Sequence, residues 1–150
     1  ALYGELESAI GGYPALARLR RATDLANSGQ EADALAAFDT LATERSLSNA
    51  LRNVAALRAG YLAVDLEDYA GVADRVEKLT GDAEPFRAAA REILALSAWK
   101  NGDIETARQW ITALEDDPET PGDVSRRASL LADVIRANNG EAPADSEGNN

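Results

Sequence analysis

The sequence predicts an all-α protein: an α-solenoid of three antiparallel helix pairs followed by a C-terminal capping helix. Three observations predict it. Apolar residues recur at helical rather than strand spacing along most of the chain. Short polar or glycine-bearing breaks separate the periodic segments. Small residues recur where two helix backbones would cross. The stretch Ala95 to Leu114 shows all three: Ala95, Ala98, Ile104, Ala107, Ile111 and Leu114 keep helical spacing across the break Asn101-Gly102-Asp103.

Composition bounds what such a protein does. At 150 residues it is long enough for one domain with a real core. Hydrophobic residues make up 45% but aromatics only 5%, so much of the apolar share is alanine, the best helix former. There is no Cys, which excludes disulfides, thiolate zinc sites and thiol nucleophiles. There is no His, the commonest general base and transition-metal ligand. The net charge of -11 argues against nucleic acid and anionic membrane surfaces as partners. Among the basic residues only Lys78 and Lys100 are lysines; we give this bias no functional weight. No run approaches the roughly 20 apolar residues of a membrane span, and no signal peptide is visible. The chain starts at Ala1 and contains no Met, so we expect a fragment or a processed form.

Taken in order, residues 1–12 read as the end of a truncated upstream helix, with Leu2, Leu6 and Ile10 on one stripe and Gly11-Gly12 as the break. Pro14 suits the first turn of a helix over about 14–28, whose apolar face is Leu16, Leu19, Ala22 and Leu25/Ala26. Ser28-Gly29-Gln30 breaks it. A helix over about 30–44 turns Ala34, Leu35, Phe38 and Leu41 inward. Ser46 or Ser48 caps the next helix, over about 48–64, with the stripe Leu51, Val54, Ala56/Leu57, Tyr61 and Val64. The segment at about 67–80 carries Tyr69, Val72, Val76 and Leu79, and Gly81 ends it. Asp82 and Glu84 precede Pro85 and open a helix over about 84–100. Asp103 caps a helix over about 103–116, with Glu105 at the positive end of its dipole. Thr120-Pro121-Gly122-Asp123 combines an N-cap, a Pro at the first helical position and an acid, and starts a helix running to about 138. Its inward residues are Val124, Ala128, Leu131, Val134 and Ile135. Residues 139–150 are polar, acidic and Gly/Pro-bearing, the composition of a disordered tail.

Superposing the three helix pairs on their breaks gives one register. The small residue of the first helix is Ala22, Gly60 and Ala95. The crossing position of the second helix is Ala34, Val72 and Ala107. Phe38, Val76 and Ile111 follow, then Leu41, Leu79 and Leu114. The offsets of 38 and 35 residues lie near the roughly 34-residue period of tetratricopeptide repeats (TPR). Pairs one and three share a turn glycine, Gly29 and Gly102; pair two has Glu67 there and is degenerate. The competing reading is a generic antiparallel bundle. The agreement of several small-residue and glycine positions favours a TPR-like domain over residues 13–138, closed by the last helix as a solvating cap.

No catalytic, cofactor or metal site is visible. Glu115-Asp116-Asp117 with Glu119 lacks the spaced oxygen ligands and glycine of a calcium loop and reads as a solvated helix end. Arg18, Arg20 and Arg21 have no Gly-rich loop beside them and read as an exposed helix face. We therefore expect no enzyme. In TPR arrays the first helix of each pair lines a concave groove. Carried onto this register, the groove takes Leu16, Leu19, Thr23 and Ala26 from pair one, and Val54, Leu57, Tyr61 and Val64 from pair two. Pair three supplies Glu92, Leu96, Trp99 and Lys100. These rows are largely apolar, against the Lys and Asn rows of carboxylate-clamp TPR proteins. Tyr61 and Trp99 are the expected aromatic anchors; the alternatives are that they pack against neighbouring helices or that the chain's own terminal helix fills the groove.

Two runs carry a family resemblance. One is Tyr13-Pro14-Ala15-Leu16-Ala17-Arg18-Leu19-Arg20 with Ala34-Leu35-Ala36-Ala37-Phe38-Asp39-Thr40-Leu41-Ala42. The other runs from Pro85-Phe86-Arg87 through Ala98-Trp99-Lys100-Asn101-Gly102-Asp103 to Asp117-Pro118-Glu119-Thr120-Pro121. They resemble the bacterial YfgM-like family of ancillary SecYEG translocon subunits, with moderately specific Ala/Leu-rich motifs. The resemblance implies a single membrane helix upstream and a periplasmic TPR-like domain that binds the export channel and periplasmic chaperones. The alternatives are another envelope-assembly TPR protein, or a soluble, cytoplasmic scaffold or self-associating domain. Partner identity and oligomeric state stay open.

Overall fold

A computed structural model of the protein describes residues 13–141. The expected upstream helix end at 1–12 and positions 142–150 of the expected tail lie outside them. The described residues form helices joined by turns and short loops: α1 (Tyr13–Asn27), α2 (Glu31–Thr43), α3 (Asn49–Leu66), α4 (Tyr69–Val76) with a 3₁₀ turn at Glu77–Leu79, α5 (Arg87–Lys100), α6 (Ile104–Glu115) and α7 (Gly122–Asn138). No strand occurs among them. They fall into two compact units, one ending at Lys78 and the other beginning at Leu79.

In the first unit each helix packs on the next, α1 on α2, α2 on α3 and α3 on α4. One apolar cluster joins Ala15, Leu41, Leu47 and Ala55, with Leu19, Ala42 and Leu51 packed against it. In the second unit α5 packs on α6, and α7 touches both. α5 is buried on most sides, with Ile93, Leu94, Ala95 and Ala98 at 1% exposure or less.

The repeat register agrees with burial at every position. Ala22, Gly60 and Ala95 are buried, as are Ala34, Val72 and Ala107. So are Phe38, Val76 and Ile111, and then Leu41, Leu79 and Leu114. The turns of pairs one and three are the same turn. Gly29 (φ 82°) and Gly102 (φ 79°) both adopt the left-handed conformation. Gly29 N–H donates to the Ala26 carbonyl at 3.1 Å, and Gln30 N–H reaches back to Leu25 at 3.0 Å. Gly102 N–H donates to Trp99 at 3.0 Å, and Asp103 N–H to Ala98 at 2.9 Å. These bonds satisfy carbonyls that the helix ends leave open. Pair two turns differently. Glu67 stays extended, and the Asp68 carboxylate takes the Gly71 N–H at 3.0 Å. α4 therefore begins at Tyr69 rather than 67 and tightens into 3₁₀ geometry after Val76.

Two further boundaries differ from the sequence reading. α5 starts at Arg87 rather than about 84, because Pro85 disfavours helical geometry at Glu84 and residues 81–87 form turns instead. Asp82 does not open that helix; its carboxylate accepts from Arg91 Nη2 at 2.7 Å. Thr120 does not cap α7. Its hydroxyl donates to the Leu114 carbonyl at 2.8 Å, closing the end of α6, and Pro121 takes the cap position. Ser48, rather than Ser46, caps α3, accepting from Leu51 N–H at 3.3 Å. Asp103 caps α6, accepting from Thr106 N–H at 3.0 Å.

The turn glycines generate a test. Gly102→Ala forces a side chain into left-handed backbone and should cost about 1 kcal/mol. Gly122→Ala, at the first position of α7 with nothing within 4 Å of the added Cβ and no positive φ, should be neutral or stabilising by up to ~1 kcal/mol. Urea denaturation of the two variants distinguishes them.

Candidate functional site

The expected groove residues divide between the two units. In the first, Leu19 is half-buried and packs on the Ala15–Leu41–Leu47–Ala55 cluster. Thr23 is half-buried, its hydroxyl donating to the Leu19 carbonyl at 3.0 Å. Leu57 is buried at 8% exposure, Val64 is half-buried and Tyr61 is 41% exposed. Leu16, one turn before Leu19 on the same helix, is 51% exposed. In the second unit Leu96 and Trp99 are half-buried and Lys100 is exposed. Glu92 is buried and engaged from α7: Arg127 Nε donates to its Oε1 at 2.5 Å and Nη2 to its Oε2 at 3.1 Å. The outward apolar character of the expected rows thus rests on Leu16 and Tyr61. Leu57 and Glu92 belong to the interior.

The structure adds two arginine-centred clusters. In the second unit, Arg87 and Arg91, one turn apart on α5, converge on Asp117 beyond the end of α6. Arg87 Nε donates to Asp117 Oδ2 at 2.5 Å, and Arg91 Nη1 to the same oxygen at 3.0 Å. Arg91 also reaches the Thr80 carbonyl at 3.0 Å and Asp82 at 2.7 Å, and Arg87 pairs with Glu119. The cluster lines an open cleft of about 360 Å³ with Ala113, Asp116 and Pro118. The acidic run is therefore divided. Glu115 and Asp116 are solvated as expected, whereas the Asp117 side chain is only 11% exposed and clamped.

In the first unit, Arg75 of α4 forks between two elements. It donates to Asp39 of α2 at 2.8 and 2.9 Å, and to Glu67 at 2.6 and 3.0 Å. Gly71 lies beneath this fork; a Cβ there would collide with the Glu67 carboxylate. Arg18, expected on an exposed face, pairs with Glu44 at 2.7 Å. Arg20 and Arg21 are exposed as expected.

The electrostatics run one way. Hydrogen bonds from Arg87, then the Glu119 backbone, hold the Asp117 carboxyl down at about 2, against an ordinary 3.8. Asp103 is lowered by its Thr106 cap bonds, and Asp123 by Arg127. Arg75 and Arg87 are raised by Asp39 and Asp117 respectively. Each shift favours the charged form that is already present at neutral pH, the condition of a structural pair rather than of a group poised to move a proton. Among the described residues no cluster of acids suits a metal ion.

Sequence reasoning missed both clusters because the links that define them, Arg91 to Asp117 and Arg75 to Asp39, span 26 and 36 residues, outside any helical repeat. The one available signal was the Arg87/Arg91 spacing, which puts two guanidiniums on one side of a helix. Compared with known proteins, the chain matches no family model, no curated protein and no solved structure.

A pH dependence follows. Asp117 is depressed in the folded state, so its contribution to stability is fully present above 3.8 and is lost as pH falls toward about 2. Asp117→Asn should remove that part of the acid limb of a stability–pH profile and lower stability at neutral pH, because Arg91 then loses a charged partner in a buried position. Thermal melts between pH 7 and 2 read both effects.

Proposed function

We propose that the chain is a non-catalytic protein–protein interaction domain. In this reading it is a TPR-like array of three helix pairs closed by α7, at the periplasmic face of a bacterial inner membrane. Its partners are apolar or helical segments of the protein-export channel or of periplasmic chaperones. The observation that carries the binding proposal is the outward exposure of Leu16 and Tyr61, at 51% and 41%, on the first helices of their pairs. Large side chains of this kind anchor partner segments by burying apolar area.

The array geometry is supported by the buried repeat positions and the matched turns at Gly29 and Gly102. The absence of catalysis is supported by the direction of the pKa shifts, all toward permanent charge. Compartment and partners are supported by the YfgM-like resemblance alone. No helix among the described residues is long and apolar enough to cross a membrane, so the anchor in this proposal lies outside them. The second reading is a soluble scaffold or self-associating domain. The exposure of Leu130 and Val134 on α7 favours it.

The test is membrane fractionation with protease accessibility on the full-length gene product, combined with a photo-crosslinking side chain in place of Arg20, an exposed residue one turn after Leu16. Integral behaviour, a periplasmic domain and crosslinks to an export-channel subunit are expected. Tyr61→Asp should abolish those contacts with an unchanged melting temperature. A cytoplasmic product, or crosslinks that Leu16→Asp and Tyr61→Asp leave intact, would overturn the reading.

A further inference from the structure

The buried side of α7 is Val124, Ala128, Leu131 and Ile135. The opposite side is less polar than a terminal helix exposed to water requires. Leu130 is 64% exposed, more than any other large hydrophobic residue described, and Val134, expected inside, is 42% exposed. Ala137, one turn further on, is exposed as well. At about 100° per residue these three fall within one sector roughly 60° wide. They form an apolar stripe along the second half of the helix.

Charge is arranged along one edge of this stripe. Arg126 lies one turn before Leu130 and Asp133 just after it, on the same flank of the helix. Arg126 is exposed and makes no hydrogen bond or ion pair with the described residues. The Asp133 side chain is 63% exposed; it takes a bond from Arg136 and keeps accepting capacity for a second donor. A two-fold axis perpendicular to the helix, close to Leu130, reverses the helix direction and keeps each flank on its own side. It brings Arg126 of one copy opposite Asp133 of the other, twice, to within one residue of register. The same operation sets Leu130 against Leu130 and leaves Arg127 to its own Glu92 and Asp123. No like charges are brought together along that flank.

We propose that two copies of this chain pair antiparallel along α7, with Leu130 at the two-fold axis and reciprocal Arg126–Asp133 bridges beside it. The interface is isologous and therefore closed, giving a dimer and no larger assembly. A single helix pair of 17 residues, about 25 Å long, lies at the small end of specific interfaces, and each copy carries a formal charge of -11. The dimer is accordingly weak and concentration-dependent. The inference is independent of any partner bound through Leu16 and Tyr61, which lie in the other unit.

Sedimentation equilibrium of the full chain from micromolar to millimolar concentration tests it. A reversible monomer–dimer equilibrium is expected. Leu130→Asp should make the protein monomeric throughout, with an unchanged circular dichroism spectrum because the residue is exposed. Arg126→Asp should weaken the dimer about tenfold or more, and Arg126→Asp with Asp133→Arg should restore it. The chain has no cysteine, so an introduced one reports pairing directly. Under mild oxidation Leu130→Cys should give a disulfide-linked dimer, whereas Ala137→Cys should not, since antiparallel pairing holds its two copies about 20 Å apart along the helix. A monomer at all concentrations would overturn the proposal and leave the stripe to a different occupant. So would a dimer indifferent to Leu130→Asp, a charge swap that fails to restore, or equal crosslinking at both positions.

Discussion

Small side chains at buried helix crossings are the constraint on which both units depend. Ala34 and Ala107 are completely buried, and Ala22 and Ala95 are 1% exposed. A larger residue at these points would drive the helices apart, typically costing about 1–3 kcal/mol. With the crossings held close, Phe38, Leu41, Ile111 and Leu114 reach the interior from the next turns. The cost of this design is that alanine removes little apolar area from water per residue. Cohesion is spread over many small contacts, supplemented by the buried aliphatic side chains between them.

The segments that leave the helices are fastened by guanidinium groups. Arg91 joins the Thr80 carbonyl, Asp82 and Asp117, so that one side chain ties the loop before α5 to the segment after α6. Arg75 bridges Asp39, inside α2, to Glu67 at the end of α3. A planar fork with several fixed donors suits such bridging better than an ammonium, which gives the scarcity of lysine a structural expression at these positions. The many carboxylates of this acidic chain are also not uniformly solvated. Asp117 is nearly enclosed, while its neighbours Glu115 and Asp116 face water.

The legible part of the fold was the part written in local chemistry. Helical periodicity, the Gly29 and Gly102 turns and the caps at Ser48 and Asp103 act within a few residues, and each appears where the pattern implies. Boundaries failed where two local signals competed. Asp68 captured the start of α4 from Glu67, and Thr120 spent its hydroxyl on the preceding helix rather than on α7. The exposure of the expected groove rows was less legible, because helical phase alone does not say whether a residue meets solvent or another helix. Leu57 and Tyr61 sit one turn apart on one stripe, yet one is buried and the other is not. Val134 shows the same ambiguity in reverse. The arginine clusters were invisible, since they join residues that only the tertiary fold brings together.

Within each unit, the packing of each helix on its immediate successor also bears on how the chain reaches its native state. Most contacts that define each unit join neighbours in sequence, and the α5–α6 hairpin closes through only Asn101, Gly102 and Asp103. Little loop entropy is lost before the first buried contacts form. A hairpin of this kind has the local signals a nucleus needs: Gly102 sets the reversal and Asp103 starts the second helix. Architectures with such low contact order fold on the microsecond-to-millisecond scale rather than in seconds. They expose their apolar faces only briefly, which suits a chain whose surface retains Leu16, Tyr61 and Leu130.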